Sequence, residues 1–523
     1  MPDPKPVDNS FTVVNKASSF TGGTIISRIL GYIRDMLIAK YFGASMAADA
    51  FFVAYKIPNL LRRLLGEGSL STSFIPVYTE YLTKKSDREA RKLVKTVFGT
   101  FGILFILLTV TGIIFAPQIV SVIAPGFANN PDKLQLTVLL TRIMFPFLMA
   151  IGLGAIALGI LNSWRMFFIP AVAPSMLSIS EIVFILFLTP YIEPPVSALG
   201  IGVVVGGFAQ FIVQAWPIIK KHSIFPIVNL KHPGLRKIAR LMLPAVLGLA
   251  VFQVNSIVDT VCATLLQPGS VTHLYYGNRL MQLPLALFGT ALATVTLPMM
   301  SENAARKQIQ KLKNTFSFSL RAISFLVLPS AVGYIMFGSP IIKLLFERGE
   351  FTAFDTSATA WVLAFYSLGL IFYAGVKVGV SAFHSQQDTK TPVVIAAISM
   401  LVNAILNISV VVISPVRDFF GAGGLALSTS ISSGINFLLL VFIFRKRNGL
   451  IGGKIITKSV LKHIFCSVIL GIFLYYISSI TREWNVFIRV PGVIIAGVVI
   501  YTVISYLIKV PELNQVKKNI AGK

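Results

Sequence analysis

Residues 96–116 read TVFGTFGILFILLTVTGIIFA, a run of 21 residues without a charged side chain. A helix needs about 20 mainly apolar residues to cross the hydrocarbon core of a bilayer, so this run predicts a membrane-spanning helix. Thirteen further apolar stretches of similar length give fourteen predicted spans in all. They lie near 18–40, 46–74, 96–116, 134–162, 168–189, 198–219, 241–266, 270–299, 315–338, 354–383, 392–413, 421–444, 460–480 and 486–508.

The composition excludes most soluble classes of protein. Of the 523 residues, 55% are apolar and only 13% are charged, whereas soluble proteins carry about 25% charged residues. A soluble chain could not cover so much apolar surface, so a soluble enzyme, a disordered chain and a fibrous protein are excluded. Backbone polar groups in lipid must pair within the chain, and helices meet this requirement. We therefore predict an all-α, polytopic membrane protein.

The basic residues are concentrated in alternate loops. The net charge is +26, and one set of loops holds 28 Lys and Arg residues against 5 in the other set. Because basic residues collect on the cytoplasmic side, the first set is predicted to be cytoplasmic, and so are both termini. This bias accounts for most of the net charge, so no nucleic-acid partner is expected. The cytoplasmic set comprises 84–95, 163–168, 220–240, 301–314, 385–391, 445–462 and 509–523.

The chain also contains an internal repeat whose matched positions keep one constant offset. The stretch PVYTE at 76–80 recurs as PMMSE at 298–302, and the pair Ser163 and Pro170 recurs at 385 and 392. Each copy holds six spans, an even number, which predicts parallel repeats of the kind found in transporters. The predicted parts are an N-lobe at 1–225 with spans 1–6, a C-lobe at 226–447 with spans 7–12, and spans 13 and 14 with a cytoplasmic tail at 448–523.

Charged side chains inside spans 1, 2 and 8 favour a transporter with a central cleft over a duplicated protein that moves nothing. A charge at the bilayer centre costs about 2.5–3.5 kcal/mol on insertion scales, so several together are expected to face water or each other. Arginine binds phosphate oxygens through two parallel hydrogen bonds. Four arginines therefore predict a cationic cleft between the lobes for a phosphate or pyrophosphate: Arg28, Arg34, Arg62 and Arg279.

Ion pairing within and between helices would also account for some of these charges. Arg28 and Asp35 are seven residues apart and share a helix face, as do Asp49, Lys56 and Arg63. Pairing of Arg28 with Asp35, or of Lys56 with Asp49, would stabilise helix packing. Arg63 could instead extend its side chain to the cytoplasmic interface.

No catalytic or nucleotide-binding motif competes with the transporter interpretation. The five histidines are scattered without metal-ligand spacing, the two cysteines lie in apolar runs, and the sequence contains no P-loop. The protein is therefore not predicted to be an enzyme, and no cofactor is expected. The energy for transport is expected from an ion gradient, from the membrane potential or from a partner.

Motifs along almost the whole chain are similar to those of one family. They include Ser27-Arg28-x-x-Gly31-x-x-Arg34-Asp35, Asp49-Ala50-Phe51, Pro58-Asn59-x-x-Arg62-Arg63, Glu67-Gly68, Tyr275-Tyr276 with Arg279, and Gln387-Asp388-x-Lys390-Thr391-Pro392. On these motifs the chain resembles the MurJ (MviN) lipid II flippases of the multidrug/oligosaccharidyl-lipid/polysaccharide (MOP) exporter superfamily. The resemblance implies a 6+6+2 plan of spans in the bacterial cytoplasmic (inner) membrane. It also implies movement of lipid II, the undecaprenyl-pyrophosphate-linked peptidoglycan precursor, from the inner to the outer leaflet.

The resemblance further implies roles for individual residues. It places Asn59 with the four arginines at the substrate, and spans 13 and 14 at a groove for the lipid tail. Further cavity or gate positions are Ser27, Asp35, Asp49, Arg63 and Glu67.

Some members of this family carry a sodium site in the second lobe. Asp259 matches the aspartate of that site, and Asn403 and Asn407 lie four residues apart on span 11. An aspartate that the family pattern expects at one of these positions is Asn407 here. The alternative is that the three side chains only hydrogen-bond between helices. Either a sodium ion or the membrane potential could then drive transport.

Two other functions remain possible on the sequence alone. One is a related exporter of another polyprenyl-pyrophosphate-linked glycan or of a cationic drug, although a cationic drug would require carboxylates in the cleft. The other is a non-transporting membrane scaffold for cell-wall synthesis, which leaves the charges in the spans unexplained. The expected partners are lipid II, membrane lipids and cell-wall synthesis proteins.

Overall fold

The computed structural model describes residues 9–221 and 226–513, and every regular element in these ranges is helical. The chain divides into two compact units, unit 1 at Met1–Val254 and unit 2 at Asn255–Lys523. The all-α fold predicted from composition is confirmed.

Unit 1 begins with a 34-residue helix and contains most of the residues that the sequence analysis singled out. Its helices are α1 (Asn9–Phe42), α2 (Met46–Leu61), a π-helical segment (Arg62–Leu70), α3 (Ser71–Lys84), α4 (Asp87–Ile114), α5 (Ala116–Ile123), α6 (Pro131–Met144), α7 (Pro146–Ser163), α8 (Phe168–Val172), α9 (Ser175–Phe187), α10 (Val196–Lys221) and the first part of α11 (Pro233–Thr264). Short 3₁₀ turns at Pro125–Asn129 and Thr189–Tyr191 precede α6 and α10.

Unit 2 continues the same scheme and adds two helices at its end. Its helices are the second part of α11, then α12 (Ser270–Pro284), a π-helical segment (Leu285–Thr290), α13 (Ala291–Ala305), α14 (Ile309–Phe346), α15 (Ala353–Leu368), α16 (Leu370–His384), α17 (Lys390–Val412), α18 (Ser414–Phe420), α19 (Ala422–Asn448), α20 (Gly453–Ile480) and α21 (Val486–Leu507).

The helices account for the predicted spans in two groups. In the described part of the chain, ten helical runs are long and apolar enough to cross a membrane, and α15 with α16, bent by 43°, makes an eleventh. The remaining predicted spans 1, 2 and 7 correspond to α1, to the run from α2 through α3, and to α11. Fourteen spans are therefore consistent with the helices, although the first two carry too many charges to be recognised by hydropathy.

The division between the units falls inside α11, whereas the sequence repeat predicts a lobe boundary at 225/226. The first turns of α11 belong to unit 1, where Lys237 Nζ lies 2.5 Å from Glu80 Oε2 on α3. Its last turns belong to unit 2, where Asp259 bonds to side chains of α17. Helix α11 thus contributes to both units. The matched sequence motifs do not show that one helix is shared in this way.

The sequence repeat is also visible in the backbone. Arg165 and Gln387 are separated by the same offset as the matched motifs, and both adopt a left-handed conformation, with φ of 59° and 61°. Each follows the end of a helix, α7 in unit 1 and α16 in unit 2. Non-glycine residues rarely adopt this conformation, so its recurrence at the same repeat position supports two copies of one helical plan.

A π-helical segment interrupts the second span of each repeat, Arg62–Leu70 in unit 1 and Leu285–Thr290 in unit 2. A proline precedes each segment, Pro58 on α2 and Pro284 at the end of α12. Proline cannot donate the backbone hydrogen bond of a regular turn, and this loss favours a local change of helical register. Such segments are frequent at functional sites, and the first one begins at a predicted substrate-binding arginine.

Candidate functional site

Helix α1 presents its predicted site residues in different environments. Arg28 is exposed and Ser27 is half-buried, whereas Arg34 and Asp35 are buried. The Arg34 guanidinium bonds to Asp35 Oδ1 through Nη2 at 2.7 Å and through Nε at 3.0 Å. The shared face of Arg28 and Asp35 that the periodicity predicts thus does not give them a shared environment, because Asp35 pairs with Arg34.

A third charged residue, Glu181 of α9, completes this cluster. Glu181 Oε2 lies 3.2 Å from Arg34 Nε, and its side chain is 2% exposed. The guanidinium of Arg34 therefore lies between carboxylates of α1 and α9, which ties the two helices together. The sequence analysis missed Glu181, although it is the one ionisable residue in the 13 residues of α9. An isolated acid within an apolar span is a signal that could have found it.

The end of α2 carries the second group of predicted site residues. Arg62 Nε donates to Asn59 Oδ1 at 2.8 Å, and both side chains are half-buried. Arg63 is exposed, in keeping with an extended side chain at an interface. The backbone of Glu67 lies in the π-helical segment, but its side chain lies outside the described residues.

Tyr55 connects the two groups of charges in unit 1. The charges of Arg62, Arg34 and Arg63 and that of Glu181 all act on its hydroxyl group. All four charged side chains therefore lie within electrostatic range of the Tyr55 hydroxyl group.

Asp49 lies in the first turn of α2. Its Oδ2 is 2.8 Å from Lys133 Nζ at the start of α6, and both side chains are almost completely buried. The predicted gate position is thus part of a buried ion pair between α2 and α6. Lys133 is a second residue that the sequence analysis did not single out.

In unit 2, Arg279 lies on α12 and is half-buried. The neighbouring Tyr276 is fully buried, with its ring 4.6 Å from that of Phe346 and 5.5 Å from that of Phe351. Tyr334 OH of α14 donates to Leu280 O at 2.9 Å. Aromatic packing and this bond hold the turn of α12 that carries Arg279.

The predicted sodium residues meet in a hydrogen-bonded cluster. Asp259 Oδ1 accepts from the side-chain amides of Asn403 at 2.8 Å and Asn407 at 2.7 Å. The amide of Asn403 also donates to Asn255 Oδ1 at 2.9 Å, and Ser432 Oγ donates to Asn403 Oδ1 at 3.4 Å.

The hydrogen bonds of this cluster match the alternative in which the three side chains bond between helices. A hard cation needs a shell of oxygen ligands, whereas the amide nitrogens of Asn403 and Asn407 face the one carboxylate. Asn407 supplies an amide hydrogen where the family pattern expects a second aspartate, and the sodium site stays a prediction.

An apolar cavity of about 510 Å³ lies between α14 and α20. The lining comes from spans 9 and 13, and α21 contributes none of it, while the lipid-tail groove formed by spans 13 and 14 stays a prediction. Hydrocarbon suits such a surface, because almost every lining group is apolar. The lining residues are Val332, Ile335, Met336, Val468, Gly471, Ile472, Tyr475 and Tyr476.

Comparison with known proteins decides the family. The sequence profile described as "Lipid II flippase MurJ" matches residues 38–495. The chain belongs to the lipid II flippase MurJ family. Among the relatives, the probable MurJ of Buchnera aphidicola (subspecies Acyrthosiphon pisum) is 36% identical over 88% of this chain and 90% of its own length. The probable MurJ of Vibrio cholerae is 37% identical over 80% of both chains.

Solved structures agree with this family and with its wider fold. A "Lipid II flippase MurJ, inward closed conformation" is 32% identical, covers 94% of this chain and 98% of its own, and superposes with a TM-score of 0.78. An inward-facing MATE transporter of the MOP superfamily covers 81% of this chain and 95% of its own with a TM-score of 0.68 at 14% identity. The second match shows a shared fold. The MurJ family and the MOP superfamily fold expected from the motifs are thus confirmed.

Proposed function

We propose that the protein is a lipid II flippase that moves its substrate from the inner to the outer leaflet of the bacterial cytoplasmic membrane by alternating access. The observation that carries the proposal is the placement of arginines on membrane-spanning helices of both repeats of a MurJ-family chain. Arg28 and Arg62 belong to unit 1 and Arg279 belongs to unit 2.

The arginines are suited to the charged part of this substrate. A guanidinium presents two parallel N–H donors to phosphate oxygens, and the pyrophosphate of lipid II offers several such oxygens. Arg28 is exposed, and Arg62, Arg279 and Asn59 are half-buried, so part of each side chain is accessible. Arg34 acts indirectly, because its guanidinium is committed to Asp35 and Glu181. A single cavity lined by arginines of both lobes stays a prediction.

The apolar cavity between α14 and α20 is proposed to receive part of the polyprenyl tail. A long hydrocarbon chain follows apolar surface because its removal from water, or its close packing in place of lipid, is favourable. The cavity is lined by a helix of the repeat and by one of the two extra helices. The first additional span, α20, thereby gains a role that a twelve-span core lacks.

The membrane potential is the proposed driving force. Export from the inner to the outer leaflet carries the pyrophosphate away from the negative interior of the cell. Moving one elementary charge across the membrane is worth about 2.3 kcal/mol per 100 mV. A pyrophosphate with two negative charges would gain about twice this amount. No ion bound to the protein is needed for this contribution.

The first prediction is that arginine loss abolishes export. Arg28→Ala, Arg62→Ala and Arg279→Ala should each fail to support growth when the host flippase is depleted. A hydrogen bond to a charged group is worth about 1.5–3 kcal/mol, so each loss should weaken affinity about tenfold to a hundredfold. Lysine should restore activity only in part, because it keeps the positive charge but lacks the two parallel N–H donors of the guanidinium.

The measurement is accumulation of lipid II in the inner leaflet at matched amounts of protein in the membrane. Arg306→Ala is the control, because Arg306 forms an exposed pair with Glu302 one helical turn away. Normal export by all three arginine variants would show that these charges serve only the structure, and the scaffold function would then be favoured.

A further inference from the structure

Each unit contains a buried acid–base pair at the same place in its repeat. In unit 1 the pair joins Lys133 of α6 to Asp49 of α2. In unit 2 it joins Asp355 of α15 to His273 of α12. The step from Lys133 to Asp355 equals the offset of the sequence repeat. The basic partner, Lys133, lies on the fourth span of the first repeat, whereas the acidic partner, Asp355, lies on the fourth span of the second repeat. The two pairs thus keep the same position but exchange the acid and the base.

Lys133 is fixed from several directions. Its Nζ lies 2.8 Å from Asp49 Oδ2, with side-chain exposures of 8% and 2%. The ammonium group also lies 4.1 Å from the centre of the Phe127 ring, a favourable contact of a cation with an aromatic face. Its backbone N–H donates to the capping side chain of Asn130 at 3.1 Å. The start of α6 is thus a rigid support for the contact with α2.

Asp355 is fixed in a similar way at the start of α15. Its Oδ2 accepts from the backbone and the hydroxyl of Thr352, at 2.8 and 2.9 Å, in a capping box. Its Oδ1 lies 3.1 Å from His273 Nε2 on α12. The ring of Phe354 meets that of His273 edge-on at 6.4 Å. In both units, a residue held in the first turn of the fourth span contacts the second span.

The second spans are the helices that carry the predicted substrate contacts. Asp49 precedes Arg62 by 13 residues along the second span of unit 1, a distance of about 20 Å at 1.5 Å per residue. His273 precedes Arg279 by six residues on α12, or about 9 Å. No proline interrupts α12 between His273 and Arg279, so a fixed first turn sets the position of Arg279 directly. In unit 1, Pro58 lies between Asp49 and Arg62, so the fixed first turn sets the position of Arg62 through the turn that contains this proline.

We infer that Lys133 and His273 are positioning residues: through Asp49 and Asp355, they anchor the arginine-bearing second span of each repeat to its fourth span. This inference rests on the proposed function, because the arginines matter only if they bind the substrate. A buried ion pair loses the hydration of both charges, so an apolar contact would serve stability equally well. The pair instead specifies one register between the helices.

The test in unit 1 compares Lys133→Met with the exchange of both charges, Asp49→Lys with Lys133→Asp. Lys133→Met should raise KM for lipid II about tenfold in proteoliposomes with a smaller change in kcat. It should also speed hydrogen exchange of the α2 backbone in nanodiscs. The exchanged pair should restore both values. Both positions lie near helix starts, where a negative charge is favourable and a positive charge unfavourable. The double variant therefore weakens this interaction in α2 and strengthens it in α6, and the two effects oppose each other.

The test in unit 2 changes His273, because Asp355 also caps α15. His273→Leu should raise KM and speed exchange in α12, whereas His273→Lys should retain both values by pairing with Asp355 as Lys133 pairs with Asp49. Asp87→Asn is the control in both units, since it removes an exposed pair with Arg91. It should change neither measurement.

The outcomes separate this inference from the proposed function. If Arg62→Ala and Arg279→Ala transport normally, the proposed function fails, and hydrogen exchange in α2 and α12 still tests the anchors. If the arginine variants fail while Lys133→Met and His273→Leu keep the wild-type KM and exchange, the positioning role is overturned. If Lys133→Met does not fold, the double variant Asp49→Lys with Lys133→Asp tests the positioning role instead. A folded double variant with an altered KM and fast hydrogen exchange in α2 also overturns that role.

Discussion

The Arg34 guanidinium lies between two carboxylates, one from its own helix and one from α9. All three side chains are buried, so each has lost most of its hydration. Such a cluster is tolerated because the opposite charges compensate one another, and it becomes costly when one partner is removed. An export defect in an Arg34 variant would therefore arise first from the packing of α1 on α9. Its effect on substrate binding would be indirect.

This arrangement predicts different stabilities for two arginines of the same helix. Arg34→Met should lower the free energy of unfolding by about 3–5 kcal/mol, because two buried carboxylates lose their partner. Glu181→Gln should cost less, about 1.5–3 kcal/mol, since Asp35 still holds the guanidinium. Arg28→Met should stay within about 0.5 kcal/mol of wild type, because Arg28 is exposed. Unfolding in detergent measures the free energy of unfolding of all three variants. Equal stability of Arg34→Met and Arg28→Met would show that the contacts of Arg34 with Asp35 and Glu181 do not stabilise the fold.

Sequence reasoning reaches some of these residues and not others. The cost of charges in lipid singles out Arg28, Arg34 and Arg62 without any structure. Their partners depend on which helices pack together, and Lys133 is 84 residues from Asp49. Helical periodicity orders residues around one helix but does not identify the helix that packs against it. The roles of Arg34 and Asp49 were therefore incomplete in the sequence analysis.

At the scale of elements, the two additional helices are fastened to the repeat by a buried polar cluster. Arg321 of α14 bonds to Glu512, which follows α21. His463 of α20 lies 3.2 Å from Glu512 Oε2 and 2.8 Å from Ser324 Oγ of α14. The cluster thus joins the end of the chain to the two helices that line the apolar cavity. The sequence shows these residues only as isolated polar positions, because their contacts span up to 191 residues.

This cluster predicts a stability that falls in acid. Burial alone would raise the pKa of Glu512, but hydrogen bonds from His463 and the backbone and the charge of Arg321 hold the pKa below its usual range. A lowered pKa in the folded state means that the stabilisation is present above the ordinary glutamate pKa of about 4.3 and is lost as the pH falls below it. Melting temperatures in detergent between pH 7 and pH 3 measure this loss.

The matched variant for this measurement is Glu512→Gln. It removes the titrating group, so it should be less stable than wild type at pH 7 and should lose less stability between pH 5 and pH 3. Identical pH profiles for the two proteins would show that other carboxylates control the acid transition.

At the scale of the whole molecule, one helical plan is used twice with different chemistry at the same positions. The constant offset of a few matched motifs predicts this, and the left-handed residues, the π-helical segments and the buried pairs follow the same offset or nearly so. The boundary between the units could not be predicted in this way. Helix α11 divides its contacts between the two, and sequence motifs carry no record of contacts.

The last prediction concerns the orientation of the molecule in the membrane, which rests on the loop charges alone. Both native cysteines, Cys262 and Cys466, are buried, so single exposed cysteines can be labelled over a low background. Asn129→Cys should react with an impermeant maleimide added to intact cells, whereas Arg88→Cys and Lys446→Cys should react only after permeabilisation. Helix α4 and the short α5 separate positions 88 and 129, so the two must report opposite sides if α4 crosses the membrane. Labelling of Arg88→Cys from outside would reverse the proposed orientation. Export would still carry the pyrophosphate away from the negative interior, but the basic loops would then lie outside the cytoplasm, against the tendency of basic residues to collect on the cytoplasmic side.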